Sequence, residues 1–305
     1  MRIEDHIGQA LLDDTLTTLD AGEYRTALDG LYEGLLAVRR ALPSQDWREF
    51  VQRAVRHPLR ERIHQDPMTR RSFEKPRGYA GDAVLLDYIY GLRTPESDDP
   101  VARAVYAHAA SRPAARSVRR RRERIAGLID SVAERRGAPI RVLSIAAGHM
   151  REGEISNAFS EGAVETFVAL DSDAESCEEI RRSFPQAEVR HGSFTSLFRE
   201  RAFAGHFDLV YSAGLFDYLD ERVASRLTAR MFEMLRPGGT LFLTNFLPTT
   251  EDAGYMESYM GWELIFRSEQ ELAALTRVIA GTEVAGRRVF ADEDATIGYL
   301  EVDRG

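Results

Sequence analysis

The sequence has one cysteine, Cys177, in 305 residues. No disulfide can form within the chain, which excludes the small stapled domains of oxidising compartments. It has one lysine, Lys75, and its other Lys/Arg cations are all arginine; this reads as a coding bias. No apolar run approaches the roughly 20 residues that cross a bilayer. The first residues, MRIEDHIGQALLDD, carry acids where a secretory leader has a basic and then an apolar stretch. These absences point to a cytoplasmic protein. Positive charge is also in deficit, with a formal net charge of -9, whereas a protein that neutralises a phosphate backbone usually shows a basic face. The one strong basic run, RSVRRRRER from Arg116 to Arg124, reads as the solvated face of a helix. Neither nucleic acid nor a membrane is expected as a partner. There is no G-x-G-x-x-G loop, no nucleophile elbow and no Cys/His cluster of metal spacing, so a nicotinamide dehydrogenase is disfavoured and no metal is expected.

What is present divides near residue 138. Before it, apolar residues recur at helical spacing: Leu28, Leu31, Leu35 and Val38 form one stripe, and Val84, Leu85, Tyr88 and Ile89 another. Prolines 43, 58, 67, 76, 95, 100 and 113 mark helix starts and stops. Residues 1–137 are therefore expected to form a helical N-terminal domain, and 138–305 a second domain. In that second part the pattern alternates. Strands are expected at Ile140–Ala146, Thr166–Leu170, Ala187–Arg190, Phe207–Ser212 and Thr240–Phe246. Helices are expected at Glu152–Glu161, Ala174–Phe184 and Glu221–Leu235, which makes βαβ units and a parallel sheet. Pro237-Gly238-Gly239 reads as a turn. A helix at Glu269–Ala280 precedes two strands, Glu283–Phe290 and Thr296–Val302, joined only by ADEDA. So short a link permits an antiparallel hairpin but no parallel crossover. The fold class expected is α/β, a Rossmann-like sheet that is mostly parallel and ends in an antiparallel hairpin. That is the arrangement of class I methyltransferases.

In an open α/β sheet, ligands bind beyond the carboxyl ends of the strands. Ala146, Ala147 and Gly148 follow the first strand and are small enough for close backbone approach to a ligand. The second strand ends in Asp171-Ser172, and an acid there commonly takes ribose hydroxyls. The next residue but one, Asp173, reads equally well as the cap of the following helix. After the third strand, Gly192, Ser193 and Phe194 are placed to bracket a base. After the fourth come Ala213 and Gly214, then Phe216, Asp217 and Tyr218, expected beside the reacting centre.

Four segments together resemble a bacterial methyltransferase family that includes the enzyme making the hydroxypalmitic acid methyl ester signal. They are KPRGYAGDAVLLDYIYG, YSAGLFDYLDERV, LRPGGTLFLTNFLP and MESYMGWELIFRSEQEL, in that order over roughly residues 70–303. The GYAGD and AGLFDYL elements are the specific ones; the loop at Ala146 departs from the family's glycine pattern. The resemblance implies S-adenosylmethionine as cofactor and a lid formed by the GYAGD segment. In that lid Arg77 and Tyr79 would meet the methionine carboxylate, and Asp82 would take the amino group or cap the next helix.

Methyl transfer is an in-line displacement in which the cofactor brings its own leaving group, so the protein supplies position and a dry site. A hydroxyl or guanidinium acceptor must also lose a proton. Asp217, Tyr218 and Asn245 are the catalytic candidates. Phe216, Tyr255, Glu257, Trp262 and Glu263 are the candidate acceptor contacts, their aromatics and acids suiting an aromatic or cationic molecule. The reading for Tyr255, Tyr259 and Trp262 as simple core residues stands beside that one. The expected function is transfer of a methyl group to an O or N atom of a small molecule. Carboxyl methylation of a hydroxy fatty acid, a non-catalytic cofactor-binding subunit, and a nucleic-acid or protein methyltransferase remain as alternatives. A homodimer through the helices of residues 1–70 is left open.

Overall fold

The computed structural model describes residues 3–199 and 201–305. In chain order the helices before the sheet are α1 (Ile3–Asp20), α2 (Tyr24–Ala41), α3 (Ser44–Arg56), α4 (Leu59–Ile63), α5 (Pro67–Glu74), α6 (Ala83–Ile89), α7 (Pro100–Ser111) and α8 (Pro113–Arg136). There follow β1 (Ile140–Ile145), α9 (Asn157–Ser160), β2 (Val164–Asp171), α10 (Ala174–Ser183), β3 (Glu188–His191), β4 (Phe207–Ala213), α11 (Glu221–Glu233) and β5 (Leu235–Phe246). The chain ends with α12 (Ala253–Ser258), α13 (Glu269–Ala274), β6 (Val284–Ala291) and β7 (Ile297–Arg304). Among the described residues no helix is long and apolar enough to cross a membrane.

Two compact units emerge: Met1–Arg116 with Thr250–Glu263, and Ser117–Thr249 with Leu264–Gly305. The expected division at residue 137 and the observed one at 116 differ by most of α8. The reason is that α8 buries Val118, Ile125, Ile129 and Val132 and ties its polar residues to the sheet. Arg135 donates to Thr240 Oγ1 at 3.1 Å and Arg136 to the Pro237 carbonyl at 2.8 Å.

The helical unit follows from its punctuation. Asp66 and Asp99 each cap a helix whose first residue is proline, accepting the N–H groups of the first turn. Leu28, Leu31, Leu35 and Val38 are buried along α2, as their spacing predicts. Glycine at 254 lets α12 approach α2: a Cβ there would lie 2.9 Å from the Leu35 carbonyl carbon.

The sheet unit contains one seven-stranded sheet of order β3-β2-β1-β4-β5-β7-β6. Strands β1 to β5 run parallel, and β7 is antiparallel to both β5 and β6. The expected fold class is therefore the one observed. Strand order reverses between β1 and β4, and this switch point opens a crevice at the carboxyl ends. One core fills the α11 side, where Leu143, Val210, Leu241, Leu243 and Leu300 meet Leu227 and Met231.

Three local expectations are corrected. The helix expected at Glu152–Glu161 is a 3-10 turn, Arg151–Glu154, and then the short α9. Ser156 breaks it, capping α9 while donating to Asp130 Oδ1 of α8 at 2.7 Å. The helix expected to reach Ala280 ends at Ala274 and continues as a 3-10 turn over Leu275–Val278. Pro237-Gly238-Gly239 is not a turn before the strand but an irregularity within β5, between the Phe207–Leu235 and Leu209–Thr240 pairs. Gly238 has φ +72, and a Cβ on Gly239 would lie 2.9 Å from the Arg236 carbonyl oxygen and 3.0 Å from that of Phe207, so glycine is required there.

Candidate active site

The loop leaving β1 carries left-handed backbone at alternate residues, Ala146 (φ 57), Gly148 (φ 56) and Met150 (φ 54). Only the middle one is glycine, so the loop stores strain at two side-chain-bearing positions. It is pinned from β2. The Ala146 and Ala147 N–H groups donate to the Leu170 carbonyl at 2.9 and 3.2 Å.

Asp171 ends β2 and is 6% exposed. Its Oδ2 accepts the Gly148 N–H at 2.8 Å, and its Oδ1 accepts the Asp173 N–H at 2.8 Å. A carboxylate has about four acceptor positions, so each oxygen keeps capacity for one more donor. Burial raises its pKa, opposed by those two backbone N–H groups. Ser172 is exposed beside it. Asp173 is the cap of α10, taking Glu175 N–H at 3.0 Å and the Ser176 hydroxyl at 2.7 Å.

From β3, the Gly192 N–H donates to the Asp171 carbonyl at 2.8 Å. A Cβ on Gly192 would meet only Leu170, at 4.0 Å, so the space above it is open. Ser193 Oγ accepts from Thr195 N–H and the Thr195 hydroxyl at 3.3 and 3.1 Å. Phe194 is half-buried against the core on the α11 side.

Ala213, the last residue of β4, and Gly214 (φ 113) after it are partly exposed. Phe216 is 0% exposed within the core, Asp217 is 2% exposed, and Tyr218 is 41% exposed. This stretch is clamped by Arg267, itself 4% exposed. Its guanidinium donates to the Phe216 carbonyl at 2.6 Å, to Asn245 Oδ1 at 2.7 Å and to the Leu219 carbonyl. Asn245 donates in turn to the carbonyls of Phe246 and Ile265, at 3.0 and 2.8 Å. The Asp217 carboxylate accepts the Phe246 N–H at 2.7 Å. Its burial pushes the pKa up to about 7.

That shift has a consequence for stability. A carboxyl whose folded pKa lies above its unfolded value stabilises fully below the unfolded value, and this contribution is lost as pH rises through about 7. Asp217→Asn, which keeps the acceptor for Phe246, is therefore expected to be more stable than the parent at pH 8 by roughly 4 kcal/mol, with little difference at pH 4. Urea melts of both proteins at the two pH values check this; an offset independent of pH would refute it.

Other singled-out residues lie in the helical unit. Asp82 caps α6 through the Leu85 N–H at 2.8 Å and pairs with Arg71 at 2.8 Å. Arg77 and Tyr79 are half-buried near it in sequence. Tyr255 is 1% exposed, stacked on Tyr32 with ring centroids 4.2 Å apart, its hydroxyl 3.0 Å from Thr69 Oγ1. Glu257 is bidentate to Arg39 at 2.9 and 2.8 Å and accepts from the Trp47 indole at 2.6 Å. Trp262 is buried and Glu263 exposed.

Sequence reasoning passed over four residues. Arg267 and the buried pair Tyr211–Glu152, in which the phenol donates to the carboxylate, act through distant carbonyls or partners that no local pattern marks. Arg121 is the fourth. It was expected on a solvated face yet is 4% exposed. It keeps the spacing of Val118, Ile125, Ile129 and Val132, but within a run of arginines no residue of its own type marks the buried face.

A sheet of this order with an acid at the end of β2 defines the class I methyltransferase fold. Residues 142–239 match a family model described as a methyltransferase domain. The sequence matches no curated protein. Among solved structures, the chain is similar to a possible exported protein from Bordetella parapertussis, with 18% identity, TM-score 0.58, and 87% of this chain and 97% of that one covered. It is also similar to magnesium protoporphyrin IX methyltransferase from Synechocystis with bound S-adenosylhomocysteine, at 12% identity, 73% and 95% coverage and TM-score 0.49. A third is the N-methyltransferase NodS from Bradyrhizobium japonicum in complex with S-adenosylhomocysteine, at 17%, 72% and 96%, and 0.45. Over residues 142–239, about a third of the chain, the sequence is that of a methyltransferase domain.

Proposed function

We propose that this chain is an S-adenosylmethionine-dependent methyltransferase that moves the methyl group to an O or N atom of a small molecule, with the sheet unit's loops as the cofactor site. The observation that carries the reading is Asp171, a buried carboxylate at the end of β2 with spare acceptor capacity, bonded to Gly148 of the β1 loop. It would take the ribose hydroxyls, with Ser172 beside it. Ala146, Ala147 and Gly148 would offer backbone to the methionine end. Gly192, Ser193 and Phe194 would flank adenine, and Ala213 and Gly214 the sulfur. When bound, S-adenosylmethionine supplies a methyl group on a positively charged sulfur that is its own leaving group. The chain's part is position: Arg267 and Asn245 hold the loop after β4 in place. Asp217 is the candidate base for a hydroxyl or ammonium acceptor, because its pKa of about 7 lies near working pH, where a general base is most effective. An acceptor carboxylate or free amine needs no base.

Membership of the hydroxypalmitic acid methyl ester family is part of the same proposal, carried by GYAGD and AGLFDYL. So is a cytoplasmic setting, which a single, buried cysteine suits. Titration calorimetry with S-adenosylmethionine, S-adenosylhomocysteine and NAD tests the site. Micromolar binding of the sulfur ligands and none of NAD is expected; NAD binding alone would overturn it. A screen of hydroxy acids, amino acids and amines as acceptors then tests the small-molecule reading.

A further inference from the structure

Helix α8 lays one stripe on the sheet: Val118, Ile125, Ile129 and Val132 are each 2% exposed or less. Arg121 stands in that stripe and is 4% exposed. A cation so deeply buried normally carries a partner, since its desolvation is otherwise uncompensated. The Arg121 guanidinium makes no hydrogen bond or ion pair with any described residue. Its wall is Gly214 of the loop after β4, where a Cβ would lie 3.5 Å from Arg121 Nη1. Glu152 and Asp217 act on it only through space. Burial favours the neutral form of each of these acids, and Glu152 is already engaged by Tyr211.

Two hydroxyls share this neighbourhood. Ser117 lies one turn before Arg121 on α8, is 0% exposed, and its Oγ has no hydrogen-bond partner among the described residues. Thr244, near the carboxyl end of β5, is likewise 0% exposed with an unpartnered Oγ1. Thr244 pairs in register with Ala213, the residue before Gly214. It also shares a sheet face with Thr240, two pleats earlier, and Thr240 is where α8 anchors through Arg135. Buried polar groups are rarely left unpaired. Three here, all able to donate, are linked by spacing and register: Ser117 is one helical turn from Arg121, and Thr244 pairs with the residue before Gly214, which lies against Arg121. A guanidinium fork with flanking hydroxyls matches a carboxylate.

We propose that Arg121, with Ser117 and Thr244, anchors a carboxylate carried by the methyl acceptor. This rests on the methyltransferase reading above and names its substrate class. Position favours the acceptor over the cofactor's own carboxylate. The proposed ribose and adenine contacts lie at β1, β2 and β3, whereas Thr244 stands two strands beyond β1, about 10 Å away at the usual strand spacing. A carboxylate whose lone pairs are held by a guanidinium is a poor nucleophile. It serves as a handle, and the methyl group goes to a hydroxyl or amine elsewhere on the same acid.

The test uses the full chain saturated with S-adenosylhomocysteine and titrated with benzoate and its neutral counterpart benzamide. Benzoate is expected to bind at least about tenfold more tightly than benzamide, the value of one hydrogen bond to a charge. Arg121→Gln should abolish that preference while leaving S-adenosylhomocysteine affinity within about twofold. Thr244→Val should weaken benzoate severalfold, and it decides the matter if Arg121→Gln does not fold. Absence of benzoate binding, equal binding of the two probes, or a preference that survives both substitutions would overturn the proposal. So would a loss of S-adenosylhomocysteine affinity in Arg121→Gln with benzoate unaffected, which would assign the group to the cofactor. If the parent protein fails to bind S-adenosylhomocysteine, the cofactor-site reading fails separately, and the benzoate comparison on the protein alone still decides Arg121.

Discussion

Asp171→Ala is expected to weaken S-adenosylhomocysteine binding by roughly 1–3 kcal/mol, the cost of removing a buried charged acceptor from its donors. Two effects combine. The ribose hydroxyls lose their proposed acceptor. The Gly148 and Asp173 N–H groups, each 2.8 Å from this carboxylate, lose theirs, and the β1 loop loosens where its left-handed residues already store strain. Asp171→Asn separates the two. Its amide oxygen can still accept from one backbone N–H, but its NH2 group cannot accept from a ribose hydroxyl or from the other. It should therefore lose nearly as much affinity while losing less stability. Calorimetric titration paired with thermal melts measures both. Unchanged affinity in the alanine variant would remove Asp171 from the cofactor site.

Arg267→Met should be the most destabilising single change in the sheet unit, by about 3–5 kcal/mol, as expected when one side of a buried charged network is removed. The guanidinium serves the Phe216 and Leu219 carbonyls and Asn245 Oδ1 together. Methionine fills the volume and satisfies none of them. Arg267→Lys should recover part of the loss, because a single ammonium donates to fewer of these acceptors than the planar fork. A second readout follows from charge. Arg267 lowers the Asp217 pKa electrostatically, so its removal should move the pH dependence of stability further up the scale. Urea unfolding across pH gives both quantities. A loss below about 1 kcal/mol, the range of ordinary surface changes, would show that the loop after β4 holds itself.

The sequence by itself determined the alternation of strands and helices after residue 138, because a buried parallel strand and an amphipathic helix each leave a local period. It determined the terminal hairpin, since the ADEDA link is too short for a crossover. It also placed Asp171, Gly192 and Gly214 at strand ends, where the fold's crevice lies. Tertiary structure alone decided the rest. Thr250–Glu263 joins the helical unit although its neighbours on both sides belong to the sheet. There Tyr255 meets Tyr32 and Glu257 meets Arg39, partners more than 200 residues apart. Ala146 takes a backbone conformation that its side chain disfavours, and no local preference predicts it. Arg121 shows the limit most clearly. A run of arginines gives the charge of a helix, but which of its faces is buried depends on where the sheet lies. Spacing carries the period of a pattern, and only packing decides which face meets water.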